Sequence, residues 1–504
     1  YEDNTVSRYT RENFSFAGTW KSGVSDITGD NAIFQKIKNS QWELKNYFNQ
    51  LYTKEKYTWG IRSYIRYTHC PASLTVAHRN LPILFADNML IANCIYHRNE
   101  LSSPDNISEN TYRTVIGQTH ESILAEYEEM NTGNAYTDNV LYGMRKINGV
   151  NYQLTGGFCG ELSSVKQENA YSAHSYSFYT VPRIEWERND FLFTAATTVR
   201  WSHLPKQSYS RFCVSPFFCF RYKFTPRWKM SLLGSLDESE GGLKDIYPFR
   251  YREDYRTVVK HTGKVPVTVR QLYTCYLEYK NTIKEFFWTL SASYSHNRYN
   301  LITERNYKDG NFYLSSVERN HSSHSYTLNT IGSKGIYDWN LKTSLELTLA
   351  RNEGKQLNEG IVQDYRYDYL CIEPKIVWAP SVFFEAEYKA TVSCVGGGIG
   401  EDTSLDPLWE VAQRLTLSLE FHDTEFRLSG EHFYNDLSKN QHLNIWLADV
   451  SLIHKVGKWR FAASAINLFN KEQYRYTLYS AVQSYTSWIK LRPREFMVSV
   501  QYQW

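Results

Sequence analysis

Strict alternation of apolar and polar residues, repeated segment after segment, is the feature that most restricts what this chain can become. In the run Phe384 to Thr391, Phe384, Ala386, Tyr388 and Ala390 fall on one side, and Glu385, Glu387, Lys389 and Thr391 on the other. Leu341, Thr343, Leu345, Leu347 and Leu349 likewise oppose Lys342, Ser344, Glu346 and Thr348, and Leu415, Leu417, Leu419 and Phe421 oppose Thr416, Ser418 and Glu420. Trp288, Leu290, Ala292 and Tyr294 oppose Thr289, Ser291, Ser293 and Ser295. A period of two puts successive side chains on opposite faces of an extended strand, so each segment meets two different environments. From about residue 170 onward the pattern fills the chain between turns, and the fold class it predicts is all-β.

Composition narrows the environments. Aromatic residues make up 16% of the chain, with 40 Tyr, 26 Phe and 14 Trp, which excludes a disordered polymer. Mean hydropathy is nevertheless −0.52. The most apolar stretch, Leu81 to Tyr96, is broken by Pro82, Asp87, Asn88 and Asn93, so no segment reaches the roughly 18 uninterrupted apolar residues of a membrane helix. Lys and Arg number 56 against 53 Asp and Glu, a net +3, which argues against nucleic acid as the main partner. A soluble β-sandwich or propeller array and a transmembrane β-barrel remain.

Turn spacing separates these. Short reversals occur at 187–190, 224–227, 379–381, 422–425 and 455–458, and longer polar stretches lie at 238–267, 351–365, 395–408 and 469–493. Short turns at one end and long loops at the other are the habit of outer-membrane barrels, whereas a propeller would repeat a motif every 40 to 50 residues or so. Counting back from the last strand at 494–504, with turns near 456, 423, 380, 335, 282, 226, 188, 146, 87 and 54 and a first strand near 13–21, gives roughly 22 antiparallel strands. The expected architecture is one transmembrane antiparallel β-barrel over residues 1–504, with short periplasmic turns and long extracellular loops. The final segment, Met497 to Trp504, alternates throughout, and Tyr502 and Trp504 suit the aromatic girdle of a membrane interface.

Just upstream stand Ala465-Ile466-Asn467-Leu468-Phe469-Asn470-Lys471, then Tyr474 and Tyr476, then Leu491-Arg492-Pro493-Arg494-Glu495-Phe496. This order resembles the C-terminal end of TonB-dependent receptors of the Gram-negative outer membrane, and Phe220 to Trp228 looks like one of that family's hairpin turns. The resemblance implies a 22-strand barrel closed by an N-terminal plug, a nutrient ligand captured on the extracellular side, and import driven by a periplasmic energy-coupling protein. No plug-like segment or coupling box precedes the first strand here, so both are expected upstream of residue 1. Outer-membrane lipid is the implied surroundings. The alternative is a structural or partner-binding barrel, a scaffold for a surface lipoprotein or secretion assembly.

Candidate chemistry points to recognition rather than catalysis. No nucleophile-elbow, zinc-protease or phosphate-loop pattern appears, so no enzyme activity and no cofactor is expected. The eight cysteines, at 70, 94, 159, 213, 219, 275, 371 and 394, form no C-x-x-C pair, which leaves them as small apolar residues or as loop disulfides. Scattered histidines such as His69, His321 and His324 define no metal site. Gly396-Gly397-Gly398-Ile399-Gly400 is expected to be a flexible extracellular loop. Ligand contact is best assigned to Tyr247, Phe249, Arg250, Tyr251 and Arg252 in the 238–267 loop, and to Tyr474 and Tyr476 in the last loop. Rings stack on flat ligand faces, and guanidinium groups grip carboxylate or phosphate.

Overall fold

The computed structural model describes residues 2–4, 8–27, 33–54, 57–78, 125–167, 170–242, 245–253, 256–308, 311–400, 403–438, 441–479 and 484–502. The turn proposed near 87, Cys94 and Trp504 lie outside them.

The chain begins with β1 (Glu2–Asn4), β2 (Arg8–Ile27), β3 (Ile33–Lys54), β4 (Tyr57–His78), β5 (Ala125–Ile147), β6 (Val150–Lys166) and β7 (Ala170–Arg188). Next come β8 (Phe191–Leu204), β9 (Tyr209–Thr225), β10 (Trp228–Glu240), the short β11 (Tyr251–Arg252) and β12 (Thr257–Lys260), and β13 (Val267–Asn281). They are followed by β14 (Phe286–Lys308), β15 (Asn311–Ile336), β16 (Leu341–Asn358), β17 (Ile361–Ser381), β18 (Phe384–Ile399) and β19 (Thr403–Phe421). The last are β20 (Thr424–Ser438), β21 (Gln441–Val456), β22 (Trp459–Ile466), β23 (Gln473–Tyr479), β24 (Ser484–Lys490) and β25 (Glu495–Tyr502). All but β23 and β24 belong to a single sheet of 23 strands.

The long strands pair antiparallel with their neighbours in chain order, β4 directly with β5 and β22 with β25. Among the described residues β2 and β25 are not paired with each other. Most of the expected short turns are present, for instance at Asn148-Gly149 and Asn189-Asp190, where Asn148 and Asn189 take a positive φ that Asn tolerates.

Registration carries the alternation across the sheet. Leu277 faces Leu290, then Thr330, Leu347, Ile372, Val392 and Val411 on successive strands. The adjacent row on the other face runs Ser291, Asn329, Thr348, Cys371, Ser393, Glu410 and Asn435. Along these rows, from β13 to β20, one face is therefore apolar and the other polar. Polar-face groups bond across strands: Asn329 Nδ2 donates to Glu346 Oε1 at 2.8 Å and Thr348 Oγ1 at 2.9 Å, and Lys375 pairs with Glu387 at 3.2 Å.

The apolar face is bounded by rings. Near the short turns, Trp228 meets Tyr279 at 4.8 Å and Trp288 at 5.9 Å, Phe191 stacks on Tyr222 at 4.3 Å, and Trp459 meets Tyr502 at 4.8 Å. Farther along, Tyr294 lies 6.5 Å from Tyr273 and 5.1 Å from Tyr326. In register with Tyr326 this face becomes charged, with Arg351 beside Asp368 at 2.6 Å. The apolar run from Leu341 to Leu349 spans about 26 Å along the strand.

Two of the four long polar stretches are not irregular loops. Strands β16 and β17 extend through 351–365 to a tight turn at Glu359-Gly360, and β18 extends through the glycine run to Ile399. This corrects the reading of Gly396 to Gly400 as a flexible loop. A bulge falls between Val395 and Gly397, where Gly397 has a φ of 152°, and a Cβ there would collide with the carbonyl oxygen of Arg366. Glycine is what lets β17 and β18 approach.

Candidate functional site

The stretch between β10 and β13 is a small folded unit. Gly241 N–H donates to Pro266 O at 2.7 Å and closes its base. Strand β11 pairs antiparallel with β12, and β12 runs parallel to Phe312–Ser315 of β15, covering an otherwise open edge. Ile246 and Val265 are buried against Ala173 and Leu204, with Tyr171 and Tyr209 packed alongside. By strand parity Ala173, Leu204, Tyr171 and Tyr209 all belong to the polar face. The unit thus lies on the polar face of β7 to β9 and reaches across to the β14–β15 hairpin.

Charge ties β10, the strand that leads into it, to β8 and β9. Arg200 pairs with Glu240 at 3.4 Å and donates to Glu238 O at 2.8 Å, and Arg211 pairs with Glu238. Cys213, with Sγ 3.9 Å from Glu240 Oε1, is buried beneath them.

The sequence-predicted residues of this unit divide by role. Tyr247 is 2% exposed, its hydroxyl donates to Gln167 Oε1 at 3.1 Å, and its ring meets Tyr171, Phe249 and Tyr251 at 5.7, 5.5 and 6.2 Å. It supports the neighbouring rings from below. Phe249 and Arg250 are exposed; the Arg250 guanidinium lies 5.3 Å from the Tyr313 ring centre. Arg252 donates to Asn311 Oδ1 at 3.4 Å. The ledge thus offers a ring face and an arginine fork, suited to a ligand with a flat surface and an anionic group.

Sequence reasoning missed Gln167, Tyr171, Lys206 and Tyr313. Gln167 comes from the end of β6, Tyr171 from β7, Lys206 from the turn between β8 and β9, and Tyr313 from β15, and no local pattern marks them. Lys206 Nζ sits 3.6 Å from the Tyr171 ring centre while donating to Ser172 O at 2.7 Å.

Two titratable groups respond to the unit's packing. Burial pushes the Tyr251 hydroxyl up, with Glu253 and Asp245 adding to the shift. Burial pushes His261 down from its ordinary value near 6.5, against the opposite pull of Asp245 and Glu253. His261 Nδ1 is 3.2 Å from Ser316 Oγ and its ring is 6.2 Å from Tyr251.

Tyr474 and Tyr476 lie on β23, paired with β24 so that Tyr474 faces Ile489 and Tyr476 faces Ser487. The motif at 467–471 forms the base of this second projection. Asn467 Nδ2 donates to Lys471 O and Arg492 O, both at 2.8 Å, and Asn467 Oδ1 accepts from Lys471 N–H at 2.9 Å. Asn470 Oδ1 accepts from Arg494 N–H at 2.9 Å. Tyr502 is on the apolar face, 39% exposed and against Trp459.

Among the described residues no three His, Cys, Asp or Glu side chains are close enough to hold a metal ion. His324 instead stacks on His296 at 4.5 Å. The seven described cysteines are all free thiols.

No protein-family model matches the chain, and no curated protein matches it. Solved structures that align with it include the copper transporter OprC, 8% identical with a TM-score of 0.42, covering 99% of this chain and 82% of that one. A variant of the ferric enterobactin receptor PfeA from Pseudomonas aeruginosa is 11% identical with a TM-score of 0.41, covering 99% and 76%. The ferric yersiniabactin uptake receptor FyuA from Yersinia pestis is 9% identical with a TM-score of 0.36, covering 98% and 77%.

Proposed function

We propose that the chain closes into an outer-membrane β-barrel, a receptor and transporter that binds a nutrient ligand at its long-loop rim and passes it along the polar face in an energy-coupled step. The observation that carries this is the folded unit at 241–266 seated on the polar face. If the apolar face, bounded by two rows of rings, meets lipid, the polar face lines a lumen, and the unit stands in its mouth. A polar wall with ion pairs and amide bonds suits passage of a hydrated solute better than a packed core would.

Phe249, Arg250, Tyr251 and Arg252 form the primary contact surface, with Tyr474 and Tyr476 on the second projection completing it. Tyr247 acts as their support. Outer-membrane lipid surrounds the apolar band. A periplasmic energy-coupling protein drives the passage, and a surface lipoprotein is a further partner at the rim.

The test uses the full-length gene product reconstituted in vesicles. Binding of ferric chelates, cobalamin and oligosaccharides is measured by calorimetry, for the natural protein and for Phe249→Ala and Arg250→Ala. A bound class whose affinity falls at least tenfold in both variants, with heat-modifiable gel migration unchanged, supports the reading. Equal affinity in all three proteins removes the ledge as the site.

A further inference from the structure

At the short-turn edge of the apolar face, between β15 and β17, a notch of about 530 Å³ is lined by Asp338, Trp339, Asn340, Leu341, Ile376, Trp378 and Pro380. We propose that it binds the ammonium headgroup of an aminophospholipid, resting on the reading above that this face meets lipid.

The notch has a fixed frame. Residues Tyr337–Trp339 make a single 3-10 turn, ended by Asn340 at a φ of 49°. Asn340 N–H donates to Tyr337 O at 3.0 Å, and Ala379 N–H donates to Asn340 O at 3.1 Å, tying the turn to β17. Leu341 and Trp378 are paired in register, and Trp378 meets Phe384 edge-on at 5.8 Å.

Its lining then selects the occupant. Trp339 and Trp378 are 66% and 43% exposed, so two indole rings are open to a visitor, and indole is the best side-chain face for an organic cation. Asp338 is the single charged residue in the lining, and no lysine or arginine contributes. An anionic headgroup without an amine would face a carboxylate with nothing to neutralise it, whereas an ammonium would meet a carboxylate and two rings. Leu341 and Ile376, on the band side, present apolar surface to the part of the lipid that leads into the bilayer. The volume is that of an ordinary small-molecule site.

Native mass spectrometry of the purified protein in detergent tests this, with phosphatidylethanolamine and phosphatidylglycerol of identical acyl chains supplied together. The expected result is at least tenfold preferential retention of one phosphatidylethanolamine, lost in Asp338→Asn and Trp339→Ala and partly kept in Trp339→Phe. Each variant should keep its heat-modifiable migration, because these side chains lie at an exposed turn. Equal retention of both lipids by the natural protein, or undiminished phosphatidylethanolamine retention in Asp338→Asn, overturns the site while leaving the membrane reading in place. Failure of the natural protein to enter vesicles overturns both.

Discussion

Tyr179 shows how much of this sheet's order rests on single side chains. Its ring lies against Gly157 on the adjacent strand, so a Cβ at Gly157 would run into the phenol, and its hydroxyl donates to Asp138 Oδ1 at 2.7 Å. A ring over a strand glycine restores apolar contact where the glycine has no side chain, and the hydrogen bond fixes the ring in place. Gly157→Val would therefore displace the ring and break its bond to Asp138. The expected cost is about 1–3 kcal/mol of overpacking, read as a lower midpoint in urea unfolding from vesicles. Gly157→Val combined with Tyr179→Ala should be no less stable than Tyr179→Ala alone, because the clash has gone. An unchanged midpoint in the single variant would show that the ring has another position available.

At the scale of elements, the two rim projections are held by different means and should respond to different changes. Asn467 is 6% exposed, takes a φ of 53° and makes three side-chain bonds across the base of the last projection. Replacement by alanine removes three hydrogen bonds and should cost about 1–3 kcal/mol, seen as faster hydrogen exchange and cleavage within 471–493 while the sheet stays protected. The 241–266 unit should instead lose stability in acid. His261 is held below its ordinary value near 6.5, so unfolding of the unit binds a proton. Its contribution is fully present above that ordinary value and is lost as pH falls from there toward the depressed one. Protection against hydrogen exchange across 245–267, taken relative to the intrinsic exchange rate at each pH, should fall between about pH 6.5 and 5.5, and His261→Gln should flatten that dependence.

These elements also show what the sequence disclosed. Alternation located strands such as β16 and β18 and their faces, because burial on two unlike sides writes itself into every second residue. The ends of β16 to β18 were not legible: beyond Leu349 both faces are polar, and a two-sided polar strand looks like a loop. The aromatic and arginine residues at 247–252 were recognisable as a candidate surface. Their division into a buried support and an exposed ledge depends on Gln167, Tyr171 and Tyr313, which only strand pairing brings near.

For the molecule as a whole, the decisive question is which face meets lipid, and adjacent residues of one strand can answer it. Leu345 is on the apolar face and 51% exposed, within the run from Leu341 to Leu349. Ser344, its neighbour, faces Ser333 on the polar side. Arginine at the first position would place a charge in the hydrocarbon layer, at about 2–4 kcal/mol near the midplane; arginine at the second would extend into a hydrated lumen. A soluble sandwich would show the same preference, since water would cover the polar face and another layer the apolar one, so the dependence of the gap on the bilayer carries the distinction. Refolding into vesicles with increasing urea should thus separate Leu345→Arg from Ser344→Arg by roughly that amount, with Ser344→Arg near the natural protein. A bilayer thinned by shorter acyl chains should shrink the gap, because it brings position 345 closer to the interface. Equal behaviour of the two variants, or a gap that does not respond to bilayer thickness, would mean that the apolar face does not meet lipid.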